Sequence, residues 1–203
     1  MAEKMEAVIF DWGGVLIDDP RPGLMRFCAK AFGVSEEQYI TAHDKFLEEF
    51  QKGLVAEQMF WRKVCPELNR PEPAHPSLWG EAFRAAYRPR KEVFALVSKL
   101  HNNGYKTALL SNTEVPAMEF FYEQKYDMFD VAVFSCMEGA AKPERKIYRT
   151  TLDRLGSKPA QTVFIDDRPT LINGAKQLGL NTILFETTEQ VKNELCRLGV
   201  KTE

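Results

Sequence analysis

Six polar residues sit at four places just beyond predicted strands: Asp11, the pair Ser111 and Asn112, Lys142, and the pair Asp166 and Asp167. Two or three carboxylates brought together at a sheet edge repel one another by roughly 4 kcal/mol per pair at about 4 Å and an effective dielectric near 20. Such a group needs a cation. An all-oxygen cluster suits Mg²⁺, a hard ion that keeps several waters and shares its coordination with a substrate phosphate. Lys142 adds positive charge without being a metal ligand, Ser111 offers a hydroxyl, and the main-chain N–H groups opening the next helix offer an anion pocket. A carboxylate nucleophile, a metal and donors around the equatorial oxygens are the parts of an in-line displacement at phosphorus.

These residues converge only if particular elements place them. Residues 7–10, Ala-Val-Ile-Phe, form a short apolar run that stops at Asp11, and Gly13 and Gly14 follow it. The run reads as a buried strand ending in a carboxylate, with glycines that let main chain approach a ligand. Taken alone, Asp11 reads equally as the start of a solvated turn. From Lys91 onward helix and strand alternate, with strands expected over 106–110, 131–134, 162–165 and 181–185. Alternation argues for a parallel sheet, and right-handed crossovers put all its carboxyl ends on one edge, where ligands bind. The expected class is therefore α/β, a Rossmann-like parallel sheet flanked by helices.

Residues 22–89 carry no convincing strand run. A first helix bearing Leu24, Phe27, Cys28, Ala31 and Phe32 closes at Gly33. A second opens with a Ser35/Gln38 capping box and runs to about Gln51, with Tyr39, Phe46, Leu47 and Phe50 on its inner side. A third carries Met59, Phe60 and Val64 and stops near Cys65-Pro66, and a fourth spans about Leu78 to Tyr87. The result is a small inserted bundle of four helices. Thr187 and Gln190 open a closing amphipathic helix.

The 203 residues carry a net charge of −2, with lysines and arginines scattered among acidic neighbours, which excludes a nucleic-acid stripe. No apolar stretch reaches bilayer length, and no secretory leader precedes the first strand. Cys28, Cys65, Cys136 and Cys196 lie far apart and read as small buried hydrophobes, which fits a reducing cytoplasm. His43, His75 and His101 fall in separate segments, which argues against a metal or triad role, and Trp12, Trp61 and Trp79 read as packing residues. Asp18 and Asp19 read as capping or solvating the loop into the insert, and Arg62, Arg88 and Arg90 as solvated surface. No oligomeric state follows from the sequence.

Asp11-x-Gly13-Gly14-Val15, Ser111-Asn112-Thr113, Lys142-Pro143-Glu144 and Phe164-Ile165-Asp166-Asp167 resemble, in order and spacing, the four motifs of the haloacid dehalogenase-like hydrolases. The resemblance covers the whole chain and is greatest to bacterial phosphatases acting on sugar phosphates such as glucose 1-phosphate. It implies a core of residues 1–17 and 90–203 and a helical cap of residues 18–89. It further implies that Asp11 attacks phosphorus, that Ser111 and Asn112 serve the phosphoryl group, and that Lys142 neutralises charge and holds Asp11. Asp11, the Gly13 carbonyl and Asp167 would bind Mg²⁺, with Asp166 as a helper, and the ligand would be a small phosphorylated metabolite.

Two departures bear on the chemistry. Most phosphatase relatives have a second Asp, a general acid and base typically worth 10² to 10⁴ in rate, where this chain has Gly13. Many also have Asn where this chain has Leu171. The rival expectations are a metal-independent dehalogenase, in which the same carboxylate attacks carbon, and a non-catalytic protein that binds a phosphorylated ligand.

Overall fold

The computed structural model describes residues 4–203. Five parallel strands, β1 (Ala7–Phe10), β2 (Lys106–Ser111), β3 (Val131–Phe134), β4 (Thr162–Asp166) and β5 (Asn181–Leu184), form one sheet in the order β3-β2-β1-β4-β5. β1 is central and fully buried, which is why its sequence is apolar without alternation. Val8 and Phe10 pack on one face of the sheet, and Ala7 and Ile9 on the other. The strand order reverses between β1 and β4. That is the point where an open α/β sheet leaves a crevice at its carboxyl edge.

Register sets the site. Phe10 pairs with Leu109 on one side and Ile165 on the other, so Asp11 lies level with Leu110 and Asp166. Ser111 is one residue further along β2, opposite Phe134.

The insert holds α1 (Arg21–Phe32), α2 (Glu36–Asp44), α3 (Leu47–Gln51), α4 (Glu57–Leu68) and α5 (Leu78–Ala86). Gly33 caps α1 with φ 62°, and the Ser35/Gln38 box opens α2 as its sequence requires. Two expectations fail here. The second helix is broken, because Phe46 takes φ −123° and ψ 2°. Only Tyr39 and Phe50 of its expected inner face are buried, with Phe50 stacked on Phe60 at 4.3 Å. The third helix passes through Pro66 and ends with Asn69 at φ 51°. Burial of Leu68 beyond the proline carries the helix past the missing N–H.

The remaining helices are α6 (Lys91–Asn102), α7 (Val115–Glu123), α8 (Ser135–Glu138), α9 (Arg145–Leu155), α10 (Pro169–Lys176) and α11 (Thr188–Arg197). The single turn α8 has no periodic signal in the sequence and was not expected. The chain crosses between core and insert twice, at 16–18 and 88–90. There the Asp18 N–H donates to the Arg88 carbonyl at 3.0 Å and the Arg90 N–H to the Leu16 carbonyl at 2.9 Å. Cys28, Cys65 and Cys136 are buried, whereas Cys196 is exposed, contrary to its sequence reading. Among the described residues no helix is long and apolar enough to cross a membrane.

Candidate active site

The Asp11 N–H donates to the Ile165 carbonyl at 2.9 Å, so the ladder between β1 and β4 extends one residue and holds the carboxylate-bearing backbone rigid. Asp11 Oδ1 accepts from the Trp12 N–H at 2.7 Å and from Lys142 Nζ at 2.7 Å. No protein donor among the described residues reaches Oδ2. Lys142 Nζ also donates to Asp166 Oδ2 at 2.8 Å, and Asp166 Oδ1 accepts from the Arg168 N–H at 2.9 Å. One ammonium therefore serves two carboxylates, and all three side chains are buried. Burial pushes the Asp11 carboxyl up to about 7, with Lys142 opposing and Asp166 adding to the rise. Burial works against the Lys142 ammonium, but the charges of Asp11 and Asp166 outweigh it and raise its pKa.

Asp167 leaves the pair in another direction. Its Oδ1 is buried with no hydrogen-bond partner, and burial followed by the charge of Asp166 raises its pKa. Oxygens of Asp11, Asp166 and Asp167 all lie within 4.8 Å of one another. An unpartnered buried carboxylate oxygen in a cluster with more acid than base is a donor set for a hard cation, and the residues fit one. Gly14 is required for this geometry. At φ +86° it sits where a Cβ would lie 2.1 Å from Asp167 Oδ2. Gly14→Ala is expected to destabilise the fold by roughly 1–2 kcal/mol through the left-handed backbone alone. Displacing the Asp167 carboxylate should also weaken any cation-dependent rise in Tm, and thermal unfolding with and without added cation checks both effects.

The other expected site residues divide. Ser111 is buried at the end of β2 and lines the same cavity as Asp11 and Lys142. Asn112 lines the cavity as well, and its amide holds the Lys142 backbone: its Nδ2 donates to the Lys142 carbonyl at 2.9 Å and its Oδ1 accepts from the Lys142 N–H at 2.8 Å. This amide clamp fixes the loop that carries the ammonium. Gly13 lines the cavity, and a Cβ there would meet Pro20 Cδ at 3.1 Å, so Pro20 crowds the place of the usual second Asp. Leu171 is buried at the cavity wall, its carbonyl accepting from the Tyr148 hydroxyl at 2.7 Å.

Several contributors escaped the sequence reading. Arg90, expected on solvated surface, donates to the Gly14 carbonyl and, at 3.0 Å, to Asp18 Oδ1, which pins the loop after Asp11. Asp19 lies in the loop ahead of α1, whose N-cap position is Pro20, and accepts from the Arg21 N–H at 3.0 Å. Ser135 Oγ accepts from the Thr113 N–H at 2.8 Å and donates to the Gln51 carbonyl at 2.5 Å, linking β2's outgoing loop to the insert. Gly53 allows this approach, since a Cβ there would lie 1.9 Å from the Cys136 carbonyl oxygen. A glycine two residues past a helix end was the available signal, and it has no unique sequence reading. Between these loops and α1, α2, α3 and α5 lies a cavity of about 520 Å³, with Asp11, Ser111, Lys142 and Asp167 on the core side.

Residues 5–179 match the family described as haloacid dehalogenase-like hydrolase. The chain belongs to that family. Among its relatives is acyl-CoA dehydrogenase family member 10 of Mus musculus, 28% identical over 205 residues, which span 93% of this chain and 18% of that protein. The present chain thus spans under a fifth of that relative. A sesquiterpene phosphatase of Aspergillus oryzae is 22% identical over 182 residues, 89% of each chain. In structure the chain is similar to a haloacid dehalogenase-like (HAD) family enzyme of Bacteroides thetaiotaomicron, with a TM-score of 0.79 at 23% identity over 95% of this chain and 99% of that one. A magnesium complex of the same Bacteroides enzyme aligns with a TM-score of 0.74 at 22% identity over 91% and 94% of the two chains.

Proposed function

We propose that this hydrolase is a Mg²⁺-dependent phosphomonoesterase that acts on a small phosphorylated metabolite through Asp11. The observation that carries the reading is the state of the Asp11 carboxylate. One oxygen is held by Lys142 and the Trp12 N–H, the other has no protein donor among the described residues, and Asp167, which has an unpartnered oxygen of its own, brings a carboxylate oxygen within 4.8 Å of the Asp11 carboxylate. The phosphatase name of the Aspergillus relative and the magnesium bound by the Bacteroides enzyme support the same reading.

In this reading Asp11 Oδ2 forms a bond to phosphorus as the bond from phosphorus to the ester oxygen breaks. Water then attacks phosphorus and returns Asp11 as a carboxylate. Lys142 keeps the Asp11 carboxylate oriented and offsets charge gathering on the phosphoryl oxygens, while Ser111 donates to one of them. Mg²⁺ would be held by Asp11, the Gly13 carbonyl and Asp167, with Asp166 as the helper that fixes Lys142. When bound, it supplies charge neutralisation for the phosphate dianion. With Gly13 at the acid/base position, the ester oxygen leaves with little protonation, so esters of acidic alcohols and phenols are the best substrates. Sugar phosphates fall within the proposed class, and the buried thiols of Cys28, Cys65 and Cys136 are compatible with a cytoplasmic setting.

A cation that binds only the folded chain raises its stability by mass action, by about 2.7 kcal/mol at a hundred times Kd. Adding Mg²⁺ to EDTA-treated protein is therefore expected to raise Tm by several degrees. Asp167→Asn should erase most of that rise. An equal rise in both proteins would place the cation elsewhere.

A further inference from the structure

The same cavity is lined by two further buried polar groups, His43 of the insert and Glu114 of the loop between β2 and α7. His43, on α2, has a side chain only 1% exposed, and its Nδ1 lies 2.7 Å from Asp44 Oδ1. Asp44 in turn accepts from Arg21 at 2.9 Å on both oxygens. A carboxylate engaged with Arg21 can only accept, so Nδ1 carries the proton and Nε2 of the neutral ring is an acceptor. Burial keeps the ring neutral by lowering its pKa, against the opposing effect of the Asp44 bond. Nε2 is buried and has no hydrogen-bond partner. A fixed, desolvated acceptor without a donor is destabilising unless a ligand satisfies it.

The second group is Glu114, which is buried and lines the same cavity. Both groups are positioned by Trp79. Its ring stacks on the His43 ring at 5.3 Å and 10°, and its Nε1 donates to Glu114 Oε2 at 2.9 Å. The Trp79 N–H is itself held by Glu57 Oε1 at 2.7 Å, so the indole is a rigid post. Leu24, Met25, Leu47 and Phe83 supply an apolar wall around these acceptors. The guanidinium of Arg21 is engaged by Asp44, and the other lining cation outside the catalytic cluster, Arg168, is exposed.

We propose that this part of the cavity is a recognition site for a hydrogen-bond donor, a hydroxyl or an ammonium, on the part of the phosphomonoester that leaves, read by His43 Nε2 and Glu114. The inference rests on the phosphomonoesterase reading and deepens it by naming the chemistry of the leaving group. A site built to accept from a donor rejects the matched group that lacks one, because its own acceptors are then left unpaired. Burial raises the Glu114 pKa, and an ammonium, unlike a hydroxyl, favours its ionised form, so Glu114 distinguishes the two.

The test uses alkylphosphonates of one chain length ending in ammonium, hydroxyl or methyl, as inhibitors of aryl phosphate hydrolysis with Mg²⁺ present. Wild type is expected to bind at least one donor-bearing phosphonate about tenfold or more tightly than the methyl analogue. His43→Phe keeps the ring stack on Trp79 and should collapse the hydroxyl-to-methyl ratio of Ki. Glu114→Gln, which keeps the shape, should collapse the ammonium-to-hydroxyl ratio. Ratios are read within each variant, so a general loss of packing does not imitate the result. Equal Ki for all three phosphonates in wild type, no inhibition by any, or ratios unchanged in both variants overturns the inference while leaving the phosphatase reading standing. Absence of aryl phosphate hydrolysis overturns both.

Discussion

Asp11→Asn is expected to lower phosphate release by at least about 10⁴-fold, because an amide cannot form the bond to phosphorus that the Asp11 carboxylate forms. The same change should make the metal-free protein more stable, not less. In wild type, Lys142 is shared by two buried carboxylates, and burial raises the Asp11 pKa to about 7. An unfolded aspartate titrates near about 3.9. The folded chain therefore holds a proton that the unfolded chain has released between those values. The stability this contributes is complete below about pH 4 and lost as pH rises through about 7. Asparagine removes that loss and leaves Lys142 balanced by Asp166 alone. In EDTA the Asp11→Asn protein should thus have the higher Tm at pH 8, with the gap narrowing toward pH 5. Thermal unfolding across that range, beside a phosphate-release assay, checks both halves. A variant that is inactive but markedly less stable at pH 8 would mean that Asp11 was a structural anchor.

Lys142→Ala carries the largest expected effect on stability. It deletes the one ammonium between Asp11 and Asp166 and leaves two buried carboxylates facing each other without a cation. Removing one partner of a buried ion pair destabilises by about 3–5 kcal/mol. For a chain of this size that lowers Tm by roughly 10 °C. The deficit should shrink at pH 5, where Asp11, its pKa raised by burial, takes up a proton. Mg²⁺ should restore part of it at pH 7. A loss of less than about 1 kcal/mol at pH 7 by urea unfolding would contradict the assigned charge balance.

Much of this site is legible in the sequence because parallel strands turn local signals into a spatial one. Each of the runs ending at Phe10, Leu110 and Ile165 is apolar and short, and each is followed by polar residues. Once the strands are parallel, their ends must meet. The register that sets Asp11 level with Asp166 follows from the same argument. Capping chemistry is equally local, so Ser35 with Gln38 and Thr187 with Gln190 form the boxes that their spacing requires.

What was not legible depends on how the insert lies over the core. Phe46 leaves the helix although its neighbours are good helix formers, because packing overrides local propensity. Arg90 belongs to no motif, yet it reaches back across 76 positions to the Gly14 carbonyl. Asn112 stands beside a predicted ligand residue, but its amide is spent on the Lys142 backbone, a contact that sequence spacing does not reveal. His43 and Glu114 are 71 positions apart and become neighbours only through Trp79.

The most direct test of the central claim is release of phosphate from a panel of phosphomonoesters by the wild-type chain, with Mg²⁺ and with EDTA, beside halide release from a haloacid. The expected result is phosphate release that requires Mg²⁺, with no halide. Halide release that survives EDTA, or no phosphate from any ester with Mg²⁺ present, would contradict it.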